Sequence, residues 1–513
     1  MPRRDLFLLL VLALLVNLGV ASFIRAPGYV DDAYYYGGAL RLVQGYGFTE
    51  PYLWNYIGNP QSLPQPSHLY WMPLTSIVAA ASMFVFGPSF AAARLPLVGL
   101  ASLLPLIAYY IAFRVTGLRR HALCAGMLAI FCGIYLAYWG TVDSFALYGV
   151  VGSVTLVAIG RAGETNDWRW WAGAGIGVGL AHLTRADGIL LLAVGCWQLA
   201  AGSWQLPDSR RWSLVTRSGH LPFVICGYLL VMLPWFIRNI VVAGSPFGNG
   251  GAGTLWLVEY NDLFNYPANL TPARYFAAGW QTILTGKWNA LTINLQRIIA
   301  EQGLVFLAPL IGLGLWKLRR HTLYRPVLLY AFLLYAAMTF AFSFPGSLGG
   351  LFHSGTALVP FYFAACFIGL DAVVDRVAAR LTHWQPDKAK LNFSILTVAG
   401  AVALTLVLTT NRLRGWNDAD ALSREIGAVI PGDAVVMSNN PPGFWVATGH
   451  GGIPLVNGDV STLLAAADQF NVRYVLLDHN YPAGLAELYA SDSGARLRVI
   501  DRWGEWKLFE VAR

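Results

Sequence analysis

Apolar runs dominate this chain and recur between short polar segments. They cover roughly residues 6–24, 95–113, 122–140, 145–161, 171–185, 188–203, 220–240, 304–317, 323–343, 356–373 and 393–410. A helix rises about 1.5 Å per residue, so about 20 apolar residues cross a hydrocarbon core of about 30 Å. The pattern predicts about eleven transmembrane helices. The first run follows Met1-Pro2-Arg3-Arg4 and has no small-residue cleavage site behind it. It therefore reads as a span with its N-terminus inside rather than as a secretory signal. Pro73–Gly87 is apolar but only about 15 residues long, a length that suits a helix lying at the outer face.

Three polar segments are too long to be connectors: an outer loop over 25–94 with juxtamembrane helices, a second over 244–303, and a tail over 412–513. In the tail, Ala434–Met437 and Tyr474–Leu477 read as buried strands, with helices near 418–429, 461–470 and 483–490. Leu497–Val499 and Lys507–Val511 form a candidate terminal hairpin. Alternating strands and helices predict a small extracytoplasmic α/β domain over 412–513. Residues 1–411 form the membrane domain. Gly449-His450-Gly451-Gly452 reads as a turn.

Composition sharpens this picture. Hydrophobic residues make up 56% and charged ones 12%, which excludes a soluble multidomain protein and a disordered chain. Of 35 Lys and Arg, 18 fall on the inner side, including Arg114, Arg119, Arg120, Arg210/Arg211/Arg217 and Lys317/Arg319/Arg320, against eight in the outer loops. This is the positive-inside bias, so the formal charge of +8 is mainly an orientation signal and implies no nucleic-acid partner. The five cysteines lie in apolar stretches without metal-cage spacing and read as small core residues.

Against so charge-poor a background, outward acids stand out. Asp31 and Asp32 follow the first span, where one of them suits the N-cap of a helix over 33–44. Asp143 lies in a very short outer turn, where an acid is costly unless it caps a helix, is paired, binds metal or acts chemically. On the same outer face stand Arg94, Arg238, His68 and His353. Arg185 pairs most simply with Asp187. No HExxH, P-loop or Gly-x-Ser-x-Gly motif occurs, and no glycine-rich loop suggests a nucleotide cofactor.

One span, an Asp-Asp pair opening an outer helix and the turn Gly45-Tyr46-Gly47 together resemble the GT-C glycosyltransferases. The resemblance is to their protein O-mannosyltransferase and aminoarabinose-transferase branch. Tyr70-Trp71-Met72-Pro73, Ala93-Arg94-Leu95-Pro96, Asp143, Gly179–Gly188, Pro234–Asn239 and Gly244-Ser245-Pro246 extend the ordered set over about residues 1–410. The resemblance implies a GT-C-like polytopic helical fold and transfer of a sugar from a polyprenyl-phosphate donor to an extracytoplasmic acceptor hydroxyl. It implies Asp31 as catalytic base and Asp143 as second acidic position, with Asp32 beside them. Substrate contacts fall to Arg94, Arg238, His353, Tyr34 and His68. It also implies a divalent metal ion (Mg, Mn or Zn) at Asp31 and Asp143. Relatives often carry Lys-Pro-Pro or His-Pro-Pro where this chain has Tyr70-Trp71-Met72-Pro73, so Arg94 or Arg238 would take over the phosphate contact.

The expected partners are a lipid-linked sugar donor, membrane lipids and a glycan, lipid or protein acceptor. The expected location is the plasma (inner) membrane, with the N-terminus cytoplasmic and the tail outside. The rival reading is a transporter or flippase of a lipid-linked sugar, which calls for charges inside the spans and a repeat relating two halves. A catalytically silent scaffold is the third.

Overall fold

The computed structural model describes residues 1–201, 219–248, 250–381 and 384–512. They pack as two compact units. One comprises Met1–Phe23, Arg94–Arg238 and Asn289–Leu413, the other Ile24–Ala93, Asn239–Trp288 and Arg414–Arg513.

The first unit is helical. Among the described residues of the whole chain, six helices are long and apolar enough to cross a membrane. They are Arg3–Ser22, Phe90–Thr116, Ser144–Thr165, Leu221–Ala243, Tyr324–Ala341 and Pro386–Ala428. Ser343–Ala357 and Val359–Ala378 make a seventh if the pair, bent by 71°, is one span. The protein is a multi-pass integral membrane protein. Of about eleven expected spans, six or seven are helices of full length. Apolarity alone does not make a continuous helix: the run 122–140 breaks at Phe131–Gly133, where Gly133 has φ 70°, leaving Arg119–Ile130 and Tyr135–Tyr138. Trp168–Thr184, Leu190–Ala201 and Ala308–Leu318 are also shorter than full spans. The inner cluster Arg210/Arg211/Arg217 lies outside the described residues.

Close helix crossings in this unit use glycine. A Cβ on Gly314 would sit 1.9 Å from the Ala365 carbonyl oxygen, and one on Gly369 would sit 1.9 Å from that of Leu310. Helices Ala308–Leu318 and Val359–Ala378 therefore approach backbone to backbone, the usual device where lipid removes the hydrophobic drive between helices.

The second unit is built on a six-stranded sheet. In order it runs β2 (Gly452–Pro454), β1 (Val435–Ser438), β3 (Val472–Leu477), β6 (Trp506–Val511), β5 (Leu497–Trp503) and β4 (Ser493–Gly494). β2, β1 and β3 are parallel; β3, β6, β5 and β4 are antiparallel. The two expected strands and the terminal hairpin are present. Gly449 makes a turn, but Gly452 opens a strand instead of closing that turn. The expected helix near 418–429 is the end of the long helix Pro386–Ala428.

The sheet does not close its core alone. Leu53 and Tyr56, from the first outer loop, are fully buried with Met437, Ile453, Val475, Leu477 and Phe509 on one face. Ile426 and Ile430 pack with Val436, Leu476 and Leu508 on the other. The loop is also tied in by its backbone: Leu53 N–H donates to the Gly452 carbonyl at 2.8 Å.

Candidate active site

In the second unit, Asp31 and Asp32 lie in the first turn of helix Val30–Val43. The helix starts three residues before the expected 33, and its N-cap is Tyr29, so neither acid occupies the cap position. Asp32 is fully buried, and its Oδ2 accepts the Gly28 N–H at 3.2 Å. This reach back ties the chain just before the N-cap to the first turn. Asp31 is half-buried. Burial and the Asp31 charge together push the Tyr260 hydroxyl up to about 12.

Sequence and packing explain why these acids are held. Gly28 lies so close to Trp416 that a Cβ would meet its Cγ at 2.2 Å, and Arg25 N–H donates to Asn417 at 2.9 Å. Further along, Gly37 admits Tyr52 and Trp445, and Gly38 admits His68 and Ser76. The run Tyr34-Tyr35-Tyr36-Gly37-Gly38 thus alternates bulk and absence of bulk so that the helix seats against its neighbours. His68 is buried, with Nδ1 2.8 Å from Ser67 Oγ and Nε2 3.0 Å from Ser76 Oγ, so both ring nitrogens are engaged. Its backbone N–H donates to the Tyr34 hydroxyl at 2.7 Å.

In the first unit, Asp143 does two jobs. It is the N-cap of helix Ser144–Thr165, where Oδ1 accepts the Ser144 N–H, and the Ser144 hydroxyl donates to the same oxygen at 3.1 Å. Its Oδ2 lies 3.1 Å from His353 Nε2. His353 sits just before the 71° bend, with its ring stacked on Phe145 at 3.9 Å and Nδ1 2.8 Å from the Gly349 carbonyl oxygen. A carbonyl only accepts, so Nδ1 carries a proton. Nε2 faces a carboxylate oxygen, a contact that a proton on Nε2 or a cation between the two atoms satisfies. A carboxylate oxygen and an imidazole nitrogen suit Zn, Mn or similar divalent ions, so these residues fit the implied metal.

Arg185 pairs with Asp187 (Nε–Oδ1 3.2 Å), as expected, and also donates to Ser354 Oγ at 2.7 Å and Ser144 Oγ at 3.3 Å. It thereby links the residues that follow Asp143 and His353. Arg238 lies over the Trp235 ring at 4.7 Å, and Arg94 is half-buried in helix Phe90–Ala101.

Sequence reasoning missed Glu301. It lies in the π-turn Ile298–Gln302, bonded to Arg297 Nη1, and burial pushes its carboxyl up to about 7 against the pull of Arg297. His353 also acts on it electrostatically. A signal was available: Glu301 is the one acid between Asp262 and Asp371.

Residues 66–237 match the family model described as dolichyl-phosphate-mannose-protein mannosyltransferase. No curated protein matches the chain by sequence. Among solved structures, the chain is similar to apo ArnT from Cupriavidus metallidurans, with TM-score 0.54 and 15% identity over 98% of this chain and 97% of that one. It is likewise similar to the same protein bound to undecaprenyl phosphate, with TM-score 0.53 and 14% identity over the same shares. The Archaeoglobus fulgidus oligosaccharyltransferase in complex with Zn and sulfate has TM-score 0.57 and 15% identity over 94% of this chain and 69% of that one. At such identities the likeness to solved structures is one of fold, and that fold is GT-C. The fold is thus that of the GT-C membrane glycosyltransferases, and the family match covers about a third of the chain. Within that class, its matched segment is of the dolichyl-phosphate-mannose-protein mannosyltransferase family.

Proposed function

We propose that Asp31 is the general base of an inverting sugar transfer at the outer face of the plasma membrane, with Asp143 and His353 as its second functional pair. The half-buried place of Asp31 in the first turn of helix Val30–Val43 supports this reading, and the 3.1 Å pairing of Asp143 with His353 supports the second pair. The acceptor is a hydroxyl of a glycan, lipid or protein. The donor is a polyprenyl-phosphate sugar; ArnT of C. metallidurans has been crystallised with undecaprenyl phosphate, and this chain is proposed to hold the same kind of lipid. The eleven-span topology, with the shorter helices also crossing, belongs to the same proposal, as does an outward tail.

Asp31 accepts the acceptor's hydroxyl proton as that oxygen attacks the anomeric carbon. The bond from that carbon to the phosphate oxygen breaks with inversion, and the lipid phosphate leaves as a monoester with one more negative charge. Arg94 and Arg238 neutralise that charge, in place of the lysine common in relatives. Tyr34 and His68 hold the Asp31 helix in position. Asp31 and Asp143 are the acids proposed to serve a divalent cation, with His353 as nitrogen ligand; when bound, it supplies charge neutralisation to the phosphate.

The test is turnover of labelled polyprenyl-phosphate sugars by purified protein. Asp31→Asn is expected to lower kcat roughly 10²–10⁴-fold while donor binding persists, and a chelator is expected to slow the wild type. A fully active Asp31→Asn protein would move the base elsewhere. Wild type that binds the lipid yet turns over none would favour transport.

A further inference from the structure

We infer that the second unit contains a separate pyranose subsite beside Asp31, walled by Trp54, Tyr70 and Trp71 and provided with hydrogen-bonding groups by Glu50, Gln65 and Asn55. The inference rests on the glycosyl-transfer reading only for which sugar ring fills it.

The recess is open to solvent, so a sugar ring would lie across its aromatic rim rather than fill a closed cavity. Three of its walls are partly exposed aromatic rings packed on one another: Trp54–Trp71 at 4.4 Å, Trp54–Tyr70 at 4.7 Å and Tyr70–Trp71 at 5.6 Å. Such rings offer flat apolar faces at small entropic cost. The polar groups come from a two-residue antiparallel ladder, Thr49–Glu50 against Gln65–Pro66, which sets Glu50 directly opposite Gln65. Gln65 Nε2 donates to Glu50 Oε1 at 2.7 Å. The Tyr34 hydroxyl is pushed well up by burial and by the nearby Glu50 carboxylate.

A carboxylate in an aromatic recess is costly to bury and needs several donors to repay it. A pyranose supplies them, because its ring has an apolar C–H face and an edge of hydroxyls. An ionised carboxylate accepts at about four positions, so Glu50 can take sugar hydroxyls beside Gln65 and Tyr34. Purely apolar ligands would leave the Glu50, Gln65 and Asn55 edge unused.

Two observations tie the recess to the reaction. Tyr34, which lines it, is three residues beyond Asp31 on one helix, so their side chains lie on neighbouring turns. Tyr260, which feels the Asp31 charge, contacts Phe264, and Phe264 contacts Trp54. The far wall depends on Gly250, whose N–H donates to the Leu69 carbonyl at 3.1 Å and whose added Cβ would meet Tyr70 at 2.8 Å.

The ring could belong to the donor or the acceptor, and two arms separate them. In the first, hydrolysis of a polyprenyl-phosphate hexose without acceptor gives the donor KM. In the second, saturation-transfer NMR follows methyl α-mannopyranoside and methyl β-glucopyranoside on the full-length protein, with glycerol as control. Trp54→Ala and Glu50→Gln are each expected to weaken one ligand about tenfold, and Trp54→Phe to restore most of that loss. A raised donor KM with competing glycosides assigns the donor ring; lost glycoside binding at unchanged donor KM assigns the acceptor ring. Folded variants that alter neither quantity overturn the subsite, as does wild type that turns over donor but binds no glycoside. Wild type that binds glycosides through Trp54 yet turns over no donor refutes the transfer reading and leaves the subsite standing.

Discussion

At the residue scale, this protein spends its few charges in pairs. Asp143 illustrates the economy: one oxygen caps a helix and the other meets His353. Neither role excludes the other, because a carboxylate has two oxygens to direct. Glu301 is the sensitive member of the same unit, and its raised pKa has a definite sign. Its carboxyl titrates near 7 in the fold against an ordinary 4.5, so the folded state binds the extra proton between those values. Stability from this group is present below pH 4.5 and is lost as pH rises through 7, by at most about 3 kcal/mol. The thermal midpoint of the wild type is therefore expected to fall across pH 5–7 more steeply than that of Glu301→Gln. Parallel curves would show that Glu301 does not titrate there.

At the element scale, helix Val30–Val43 is the part on which the proposed base depends. Its placement rests on glycines whose missing side chains admit their neighbours. A Cβ on Gly38 would meet His68 Cε1 at 2.7 Å and Ser76 Oγ at 2.9 Å, both buried and hydrogen-bonded. Gly38→Val is therefore expected to cost about 1–3 kcal/mol. It should also lower kcat by shifting Asp31, which leaves donor binding less affected than turnover. A variant with wild-type denaturation and turnover would show that the contact yields. The bend between Ser343–Ala357 and Val359–Ala378 is the matching device in the other unit, since it brings His353 onto the Asp143 cap.

At the scale of the whole molecule, the sheet and the outer loops share one core. Leu53, which belongs to the first loop, is fully buried among strand residues. Leu53→Ala is expected to cost about 2–5 kcal/mol. Limited proteolysis would detect the change as faster cleavage within residues 430–513, far along the chain from the substitution. Cleavage confined to the loop itself would mean that the sheet stands without it. The glycosyltransferase class, in contrast, did not depend on this packing: the ordered motifs of the membrane part already pointed to it, and the family match over residues 66–237 bears that out.

The sequence by itself determined that the chain lives in a membrane, which segments are apolar, and that Asp31, Asp32 and Asp143 are the acids to explain. It also indicated strands at Ala434–Met437 and Tyr474–Leu477 and the terminal hairpin, because hydrophobic period and local turn signals are properties of neighbours along the chain. Tertiary structure decided the rest. Gly133 interrupts a helix that composition alone would run straight through. The Asp143–His353 pair joins residues 210 positions apart, and Glu50 meets Gln65 only because two short strands pair. Such contacts depend on loop closure and packing between distant segments, and no periodicity along the chain records them.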